Sequence, residues 1–235
     1  MWKTLNRCTA IRSGPTLGYL LIVLVVNGAM AAEPAGVVEK IKGTAWAQQV
    51  RQDDRELEKD APIYSGDAVR TARGSSIRIR LLDGTKFELG EKSKMSIDEF
   101  VFEQQEEEES LSAKIFRGTF RFVTGLVAKK RSRAMQISTT VATIGIRGTH
   151  VAGEVDETSA TIVLLEPEGE KRPTAIEVSN EFGSVTINEP GYGSEIPDAY
   201  SPPSPPRRMQ LRTINNIMRS MQTIQRVNVP RPRMH

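Results

Sequence analysis

Hydrophobic and polar residues alternate along most of the chain between Val37 and Ile187. The clearest case is the stretch SSIRIRLLDGTKFELG, whose two arms have apolar residues at every second position and are joined at Asp83-Gly84. Alternation with a period of two is typical of a β-strand that buries one face. Asp-Gly between two such arms predicts a tight hairpin turn of two residues, because the turn requires positive φ.

Similar alternating runs continue through the chain, and turn-forming residues separate them about every ten residues. The stretches KMSIDEFVF, AKIFRGTFRFV, SATIVLLEPEGEK and TAIEVSNEFGSVTI each read as one or two strands. The region shows no helical repeat. We therefore predict an all-β fold for residues 32–196, built as a single sandwich, a barrel or a short β-solenoid.

The glycine-rich stretch TTVATIGIRGTHVAGEV could be a phosphate loop, a catalytic turn or two strands joined at a bend. A phosphate loop requires a lysine after its last glycine and a helix that begins there. Here the residues that follow are β-branched and alternate, so the pattern favours two strands with a break at Gly145 or Gly148. His150 is then predicted to lie on a strand face, and we expect valine at Gly148 to lower the melting temperature.

The end of the chain has a different pattern. Residues 197–208 are rich in proline and predict an extended linker. Residues 209–235 have apolar residues three and four positions apart and no acidic residue, which predicts a basic amphipathic helix. Its candidate docking residues are Arg212, Arg219 and Arg226. The helix suits an anionic membrane surface or an acidic partner groove, and the alternatives are packing on the chain's own body or disorder.

Residues 1–31 have the form of a secretory signal peptide. Three basic residues precede an apolar run, Leu17–Val26, and small residues follow at Ala29 and Ala31. The run is shorter than the roughly 20 residues of a membrane-spanning helix. We expect cleavage after Ala31 and a periplasmic or secreted mature chain. An uncleaved anchor in the inner membrane, facing the periplasm, is the alternative.

Removal of residues 1–31 changes both the cysteine content and the charge balance of the chain. The single cysteine, Cys8, lies within it, so the mature chain has no disulfide or cysteine metal site. Between residues 32 and 206 there are 22 basic and 29 acidic residues. This acidic body argues against nucleic-acid binding, which depends on basic surface.

The motifs of common enzymes and metal sites are missing from the sequence. No histidine or acid cluster has zinc spacing, and neither a G-x-S-x-G elbow nor an S-x-x-K pair is present. We therefore predict no enzyme activity, no cofactor and no metal. A hydrolase that uses loop carboxylates such as Asp67 and Asp98 is the enzymatic alternative. The Glu-rich stretch 103–109 and the basic stretch 129–133 are predicted to be exposed loops.

Two segments together resemble the FecR domain family. The segment GDAVRTARGSSIRIRLLDGTKFELGEKSKMSI is similar to the first half of that domain, and TTVATIGIRGTHVAGEV is similar to its R-G-T segment, with Thr140 where proline is usual. The motif residues are Gly66, Asp67, Asp83, Gly84, Arg147, Gly148 and Thr149, and Gly118 stands at the family's L-x-x-G strand.

The resemblance implies an export-side, all-β and non-enzymatic domain. Its best-known relatives regulate iron uptake, with a cytoplasmic anti-sigma domain, a membrane helix and a periplasmic sensor. Few residues precede the apolar run here, so we expect a stand-alone module without the anti-sigma domain. The predicted function is a binding or scaffold module of the bacterial envelope, with a protein or an envelope polymer as partner. The alternative is the periplasmic sensor component of a sigma-factor signalling system.

Overall fold

The computed structural model describes residues 33–102, 109–130, 134–147, 150–166 and 174–222. The described part is built almost entirely of β-strands, as the alternating pattern predicts. The strands of its first half are β1 Gly36–Lys42, β2 Ala45–Gln48, β3 Arg55–Glu56, β4 Pro62–Ile63, β5 Ala68–Thr71, β6 Ser76–Leu81, β7 Lys86–Leu89, β8 Lys94–Val101 and β9 Ser110–Val123.

A short helix follows β9 and a longer one lies near the end of the chain. These are α1 Leu126–Lys130 and α2 Leu211–Gln222. The strands between them are β10 Met135–Ser138, β11 Thr143–Arg147, β12 His150–Val155, β13 Ala160–Leu165, β14 Ala175–Asn180, β15 Gly183–Ile187, β16 Tyr192–Ile196 and β17 Arg207–Arg208. Within the described ranges, neither helix has the length and hydropathy needed to cross a membrane.

The strands form two sheets that share the long strand β9. Sheet I has the order β4-β1-β6-β7-β9-β12-β13-β16-β17. Sheet II has the order β3-β2-β5-β8-β9-β10-β11-β14-β15. All neighbouring strands are antiparallel except β9 and β10. The all-β fold is confirmed, and of the three predicted arrangements the structure has the two-sheet sandwich.

The alternating residues of the two sheets meet in one core. Ile77, Ile79 and Leu81 on β6 are at most 1% exposed, and Phe87 and Leu89 on β7 are fully buried. The other face of each strand carries charged residues, as one face in water requires. The period of the sequence therefore sets which residues enter the core.

Strand β9 passes from one sheet to the other at Gly118. Residues before Gly118 pair with β8 and β10 in sheet II, and residues after it pair with β7 and β12 in sheet I. Gly118 has φ +95°, a conformation that suits glycine because a Cβ clashes with the backbone there. A Cβ at this position would also lie 2.5 Å from the Cα of Ser93, so no larger residue fits.

The glycine-rich stretch also forms two strands, as predicted, but they belong to different sheets. β11 pairs with β10 and β14 in sheet II, whereas β12 pairs with β9 and β13 in sheet I. The chain therefore crosses the sandwich between Arg147 and His150. Residues 148–149 at this crossing lie outside the described residues.

Residues 204–208 at the end of the proline-rich segment lie along strand β16, so this part of the predicted linker is attached to sheet I. Ser204 donates its backbone N–H to the carbonyl of Glu195 at 2.9 Å, and its own carbonyl accepts from the hydroxyl of Ser194 at 2.8 Å. β17 continues this pairing, and α2 then lies on the outer face of sheet I. There Ile217 is 2% exposed and packs with Met209 against Ala152 and Val163.

Candidate functional site

The first motif pair, Gly66-Asp67, closes a turn that leads into β5. Asp67 is fully buried, and its Oδ2 accepts from the backbone N–H of Tyr64 at 2.9 Å and from Nη2 of Arg55 at 2.8 Å. Arg55 also donates to the carbonyl of Pro62 at 2.7 Å. Gly66 has φ +85° and completes the turn. Oδ2 of this carboxylate is therefore bound by the fold, whereas Oδ1 is buried without a hydrogen-bond partner among the described residues.

The second pair, Asp83-Gly84, joins a hairpin to a helix. The carboxylate of Asp83 accepts from the backbone N–H of Thr85 at 2.9 Å, from its hydroxyl at 2.7 Å and from the N–H of Val127 at 3.3 Å. The last bond satisfies a free N–H at the first turn of α1. The loop between β6 and β7 is four residues long, not two, because this carboxylate draws Thr85 inward.

The remaining residues of the first motif lock β5 and β8 to β9. The hydroxyl of Thr71 donates to the carbonyl of Gly90 at 2.6 Å and accepts from the N–H of Ser93 at 3.0 Å. The hydroxyl of Ser93 in turn donates to the carbonyl of Thr119 at 3.1 Å, beside Gly118. The polar residues of the first motif therefore form hydrogen bonds that hold turns and strands of the fold together.

In the second motif the structure describes only part of the predicted set. The backbone of Arg147 ends β11 opposite Ala175, and its side chain lies outside the described residues, as do Gly148 and Thr149. Gly145 lies within β11 between Gln136 and Glu177. The break that we placed at Gly145 or Gly148 therefore does not fall at Gly145.

The carboxylates suggested for hydrolysis are not brought together as an acid pair. Asp67 is buried against Arg55, whereas Asp98 is exposed on β8 and accepts from the hydroxyl of Ser96 at 2.5 Å. No group of three or more metal-ligating side chains occurs among the residues that the structure describes. The motif residues in the described part thus build the fold, and a candidate site has to be sought elsewhere.

One such site lies on the outer face of sheet II, where aromatic and cationic side chains alternate across four strands, β2, β5, β8 and β9. The guanidinium of Arg70 lies 4.2 Å from the ring centre of Trp46. The ammonium groups of Lys94 and Lys114 lie 5.2 Å and 5.4 Å from the ring centre of Phe116. We call these five residues the cationic face. Such contacts hold a cation over an aromatic ring while leaving it accessible to an anion.

Arg70 also forms an ion pair with Asp54, whereas the described residues place no carboxylate within ion-pair distance of Lys94 or Lys114. Glu56 lies opposite Trp46 in the strand register. The two lysines are therefore the charges that remain open to a ligand.

The same outer face continues into a shallow groove of about 510 Å³ over β10, β11, β14 and β15. Its polar lining residues are Gln136, Thr143, Glu177, Ser179 and Thr186, and Gly145 forms part of its floor. We call this the hydroxyl groove. It offers hydroxyl, amide and carboxylate groups that can hydrogen-bond a polar ligand.

A second concave region, the corner cleft, has a volume of about 650 Å³ and lies where β2, β5, β9 and β12 come close. Trp46, four cations and three acids line it: Arg70, Arg73, Lys92, Arg117, Glu91, Glu154 and Asp156. Partial burial raises the pKa of Glu154 above its usual value, and the charge of Asp156 adds to the increase.

The docking arginines predicted for the tail are only partly described. Arg219 is exposed on α2, the side chain of Arg212 lies outside the described residues, and so does Arg226. The apolar side of the helix faces sheet I, where Ile214 and Met218 flank Ile217. The described part of α2 therefore packs on the chain's own body, one of the arrangements that the sequence left open.

The sequence did not reveal the cationic face. Trp46, Arg70, Lys94 and Phe116 lie far apart along the chain, and each is the polar or partly buried member of an ordinary alternating strand. The only available signal was that aromatic residues fall on the predicted outward side of β2 and β9. Their convergence depends on strand order, which the pattern of a single sequence does not give.

Comparisons with known proteins agree with the motif resemblance. The family model described as FecR protein matches residues 67–170. No curated protein shows significant sequence similarity to the chain. Two crystal structures of a candidate anti-sigma factor from Parabacteroides distasonis ATCC 8503, at 1.65 Å and 2.50 Å resolution, have TM-scores of 0.47 and 0.48 and 11% sequence identity to this chain.

Each match spans 64% of this chain and 64% or 63% of the crystallised one. At that level of similarity the match assigns no role here. Asp67 and Asp83, whose hydrogen bonds are described above, both lie within the segment that the family model matches. Residues 67–170 of the chain therefore match the FecR family.

Proposed function

We propose that this chain is an exported, non-enzymatic binding or scaffold module of the bacterial envelope. The signal-peptide pattern of residues 1–31 supports export, and the FecR domain supports a place on the export side. The mature chain begins at Ala32 and is periplasmic or secreted. Its partner is a protein or an envelope polymer.

One observation carries this proposal: the motif carboxylates form hydrogen bonds within the fold, whereas the side chains on the outer face of sheet II are available to a ligand. The carboxylate of Asp83 and Oδ2 of Asp67 accept hydrogen bonds from backbone and side-chain donors of the fold, and Asp67 is fully buried. The cationic face and the hydroxyl groove present aromatic, charged and hydroxyl groups on rigid strands. A rigid surface without an acid pair suits recognition, because binding requires positioned contacts but no proton transfer.

Cell fractionation and envelope binding test the proposal. The mature protein is expected in the periplasm or the medium, with Ala32 as its first residue. The purified mature chain is expected to sediment with isolated cell envelopes, with binding that saturates and is competed by unlabelled protein. Recovery from the cytosol with residues 1–31 intact, or failure to sediment with envelopes, would contradict it.

A second candidate is the sensor component of a sigma-factor signalling system, and the FecR domain match favours it. In this version α2 and the residues after it meet the signalling partner through Arg212, Arg219 and Arg226. Cells that lack the chain are expected to show altered activity of the sigma factor's promoters. A chain that ends at Gln210 would then fail to restore normal activity, and full restoration would argue against the tail's role.

A further inference from the structure

The outer face of sheet II is long enough to contact several units of a linear ligand. From Arg70 on β5 to Ser179 on β14 it crosses five inter-strand spacings, or roughly 24 Å. The strand register connects its two halves: Lys114 lies opposite Ser138, Ser138 opposite Thr143, and Thr143 opposite Ser179. The cationic face and the hydroxyl groove are therefore one continuous surface.

The charges of this surface select for an anion. The body of the chain is acidic, yet Lys94 and Lys114 flank Phe116 and have no carboxylate partner in the described part. An anionic group placed between them would gain two ion pairs and would not displace an existing one. A second pair of an aromatic and a cationic side chain, Trp46 on β2 and Arg70 on β5, lies beside β8 on the same face.

The second half of the surface selects for hydroxyl groups. Thr143, Ser179 and Thr186 supply hydroxyls, Gln136 supplies an amide, and Glu177 supplies acceptor oxygens. Gly145 leaves the floor open, since a Cβ there would meet no atom closer than 3.8 Å. The cationic row thus lies beside a groove of hydroxyl and amide groups with one carboxylate, Glu177, and this arrangement suits a ligand that has both hydroxyl and acid groups.

We propose that the outer face of sheet II binds an extended, carboxylate-bearing polysaccharide. The carboxylates lie against Lys94 and Lys114, sugar rings pack on the aromatic side chains, and sugar hydroxyls bond in the hydroxyl groove. An acidic peptide fits less well, because this is a sheet face and offers no free strand edge for main-chain pairing. The proposal rests on the proposed binding function and names the ligand class of that surface.

The test uses the purified mature chain and galacturonic-acid oligomers of defined length, with neutral dextran as the uncharged probe. Binding of the acidic oligomer is expected to strengthen with oligomer length and to weaken as salt is raised, because the ion pairs are exposed. Lys94→Gln with Lys114→Gln is expected to weaken binding about tenfold. The matched double variant Lys40→Gln with Lys59→Gln removes the same charge elsewhere and should leave binding unchanged.

A third variant tests whether the shape of the hydroxyl groove contributes to binding independently of charge. Gly145→Val fits a β-strand, and its Cβ has room, so the fold should be retained. The new side chain fills the groove floor and is expected to weaken binding several-fold without changing the net charge. Unaltered circular dichroism and melting temperature would show that the loss is local.

Three results would overturn the proposal: no binding of the acidic oligomer, equal losses in the two lysine double variants, or tighter binding of a poly-glutamate peptide of matched charge. Envelope sedimentation that persists in any of these cases would leave the binding function standing and remove only the polysaccharide assignment. If the wild-type chain did not sediment with envelopes at all, the proposed binding function itself would be contradicted.

Discussion

At the scale of single residues, Asp83 connects the loop between β6 and β7 to the start of α1, and Val127 lies 44 residues further along the chain. Its carboxylate accepts from Thr85 and from the N–H of Val127, while its backbone carbonyl accepts from Leu126 at 2.9 Å. Asp83→Ala is expected to lower the free energy of unfolding by about 3 kcal/mol, because buried donors lose a charged acceptor. Urea denaturation measures this change.

The exposed Asp53 provides the control for Asp83. Asp53→Ala is expected to change the free energy of unfolding by less than about 0.5 kcal/mol. Equal effects of the two substitutions would show that the network around Asp83 does not stabilise the fold.

Gly118 has both a positive φ and no space for a Cβ, whereas Gly74 has a positive φ but free space around it. Gly74 has φ +69°, but a Cβ added there would have no atom within 4 Å, whereas Gly118 has φ +95° and Ser93 in contact. Gly74→Ala should cost about 1 kcal/mol for the backbone conformation alone. Gly118→Ala should cost more than about 3 kcal/mol, because strain and clash both act. Thermal melts of the two variants would refute this expectation if their shifts were equal.

Glu154 makes stability depend on pH. Its pKa is raised in the folded chain above the usual 4.5, so folding favours the protonated form. That contribution is fully present below 4.5 and is lost as pH rises through the raised folded value. Relative to Glu154→Gln, the wild type should therefore lose stability as pH increases across this window. Chemical denaturation at several pH values, with Glu157→Gln as the exposed control, would contradict this if the difference stayed constant.

At the scale of elements, α2 is attached to sheet I by few described apolar contacts. Ile217 is buried against Ala152 and Val163, whereas Asn215 on the same helix is exposed. Ile217→Ala removes most of the buried side chain and should weaken docking of the helix by about 2 kcal/mol. Hydrogen exchange of the α2 amides should then become faster while the amides of β6 and β9 stay protected.

Asn215→Ala should leave the exchange of α2 unchanged. If β9 lost protection together with α2 in the Ile217 variant, the helix would be part of the cooperative core and not a separately attached element.

At the scale of the whole molecule, β9 ties the two sheets into one cooperative unit. Phe120 and Phe122 on its second half are fully buried in sheet I, while Ile115 on its first half is fully buried in sheet II. Loss of β9 from one sheet therefore removes it from the other. Residues 32–235 contain one tryptophan, Trp46 in sheet II, so the fluorescence of a chain that begins at Ala32 reports that sheet.

Unfolding followed by Trp46 fluorescence and by far-ultraviolet circular dichroism should give the same midpoint, as a two-state transition requires. Separate midpoints would show that the sheets unfold independently despite the shared strand.

The sequence by itself determined the fold class and much of the local structure. A period of two in the hydrophobic pattern set which face of β6 and β7 is buried, since successive strand side chains point to opposite sides. The Asp-Gly pair at 83–84 marked a turn with positive φ, and Gly84 has φ +85°, a conformation that steric clashes make unfavourable for other residues. The motif resemblance located the FecR domain for the same reason: its residues form local turns whose chemistry is visible in sequence.

Only the tertiary structure decided which strands are neighbours. It separated β11 from β12, which the sequence joined as adjacent strands, and it placed Lys94 and Lys114 around Phe116. The roles of Asp67 and Asp83 also became clear only from partners at Arg55 and Val127. These facts depend on contacts between residues distant along the chain, which local propensity does not encode. The binding surface is of this kind, because it is assembled from strands that meet only in the folded sheet.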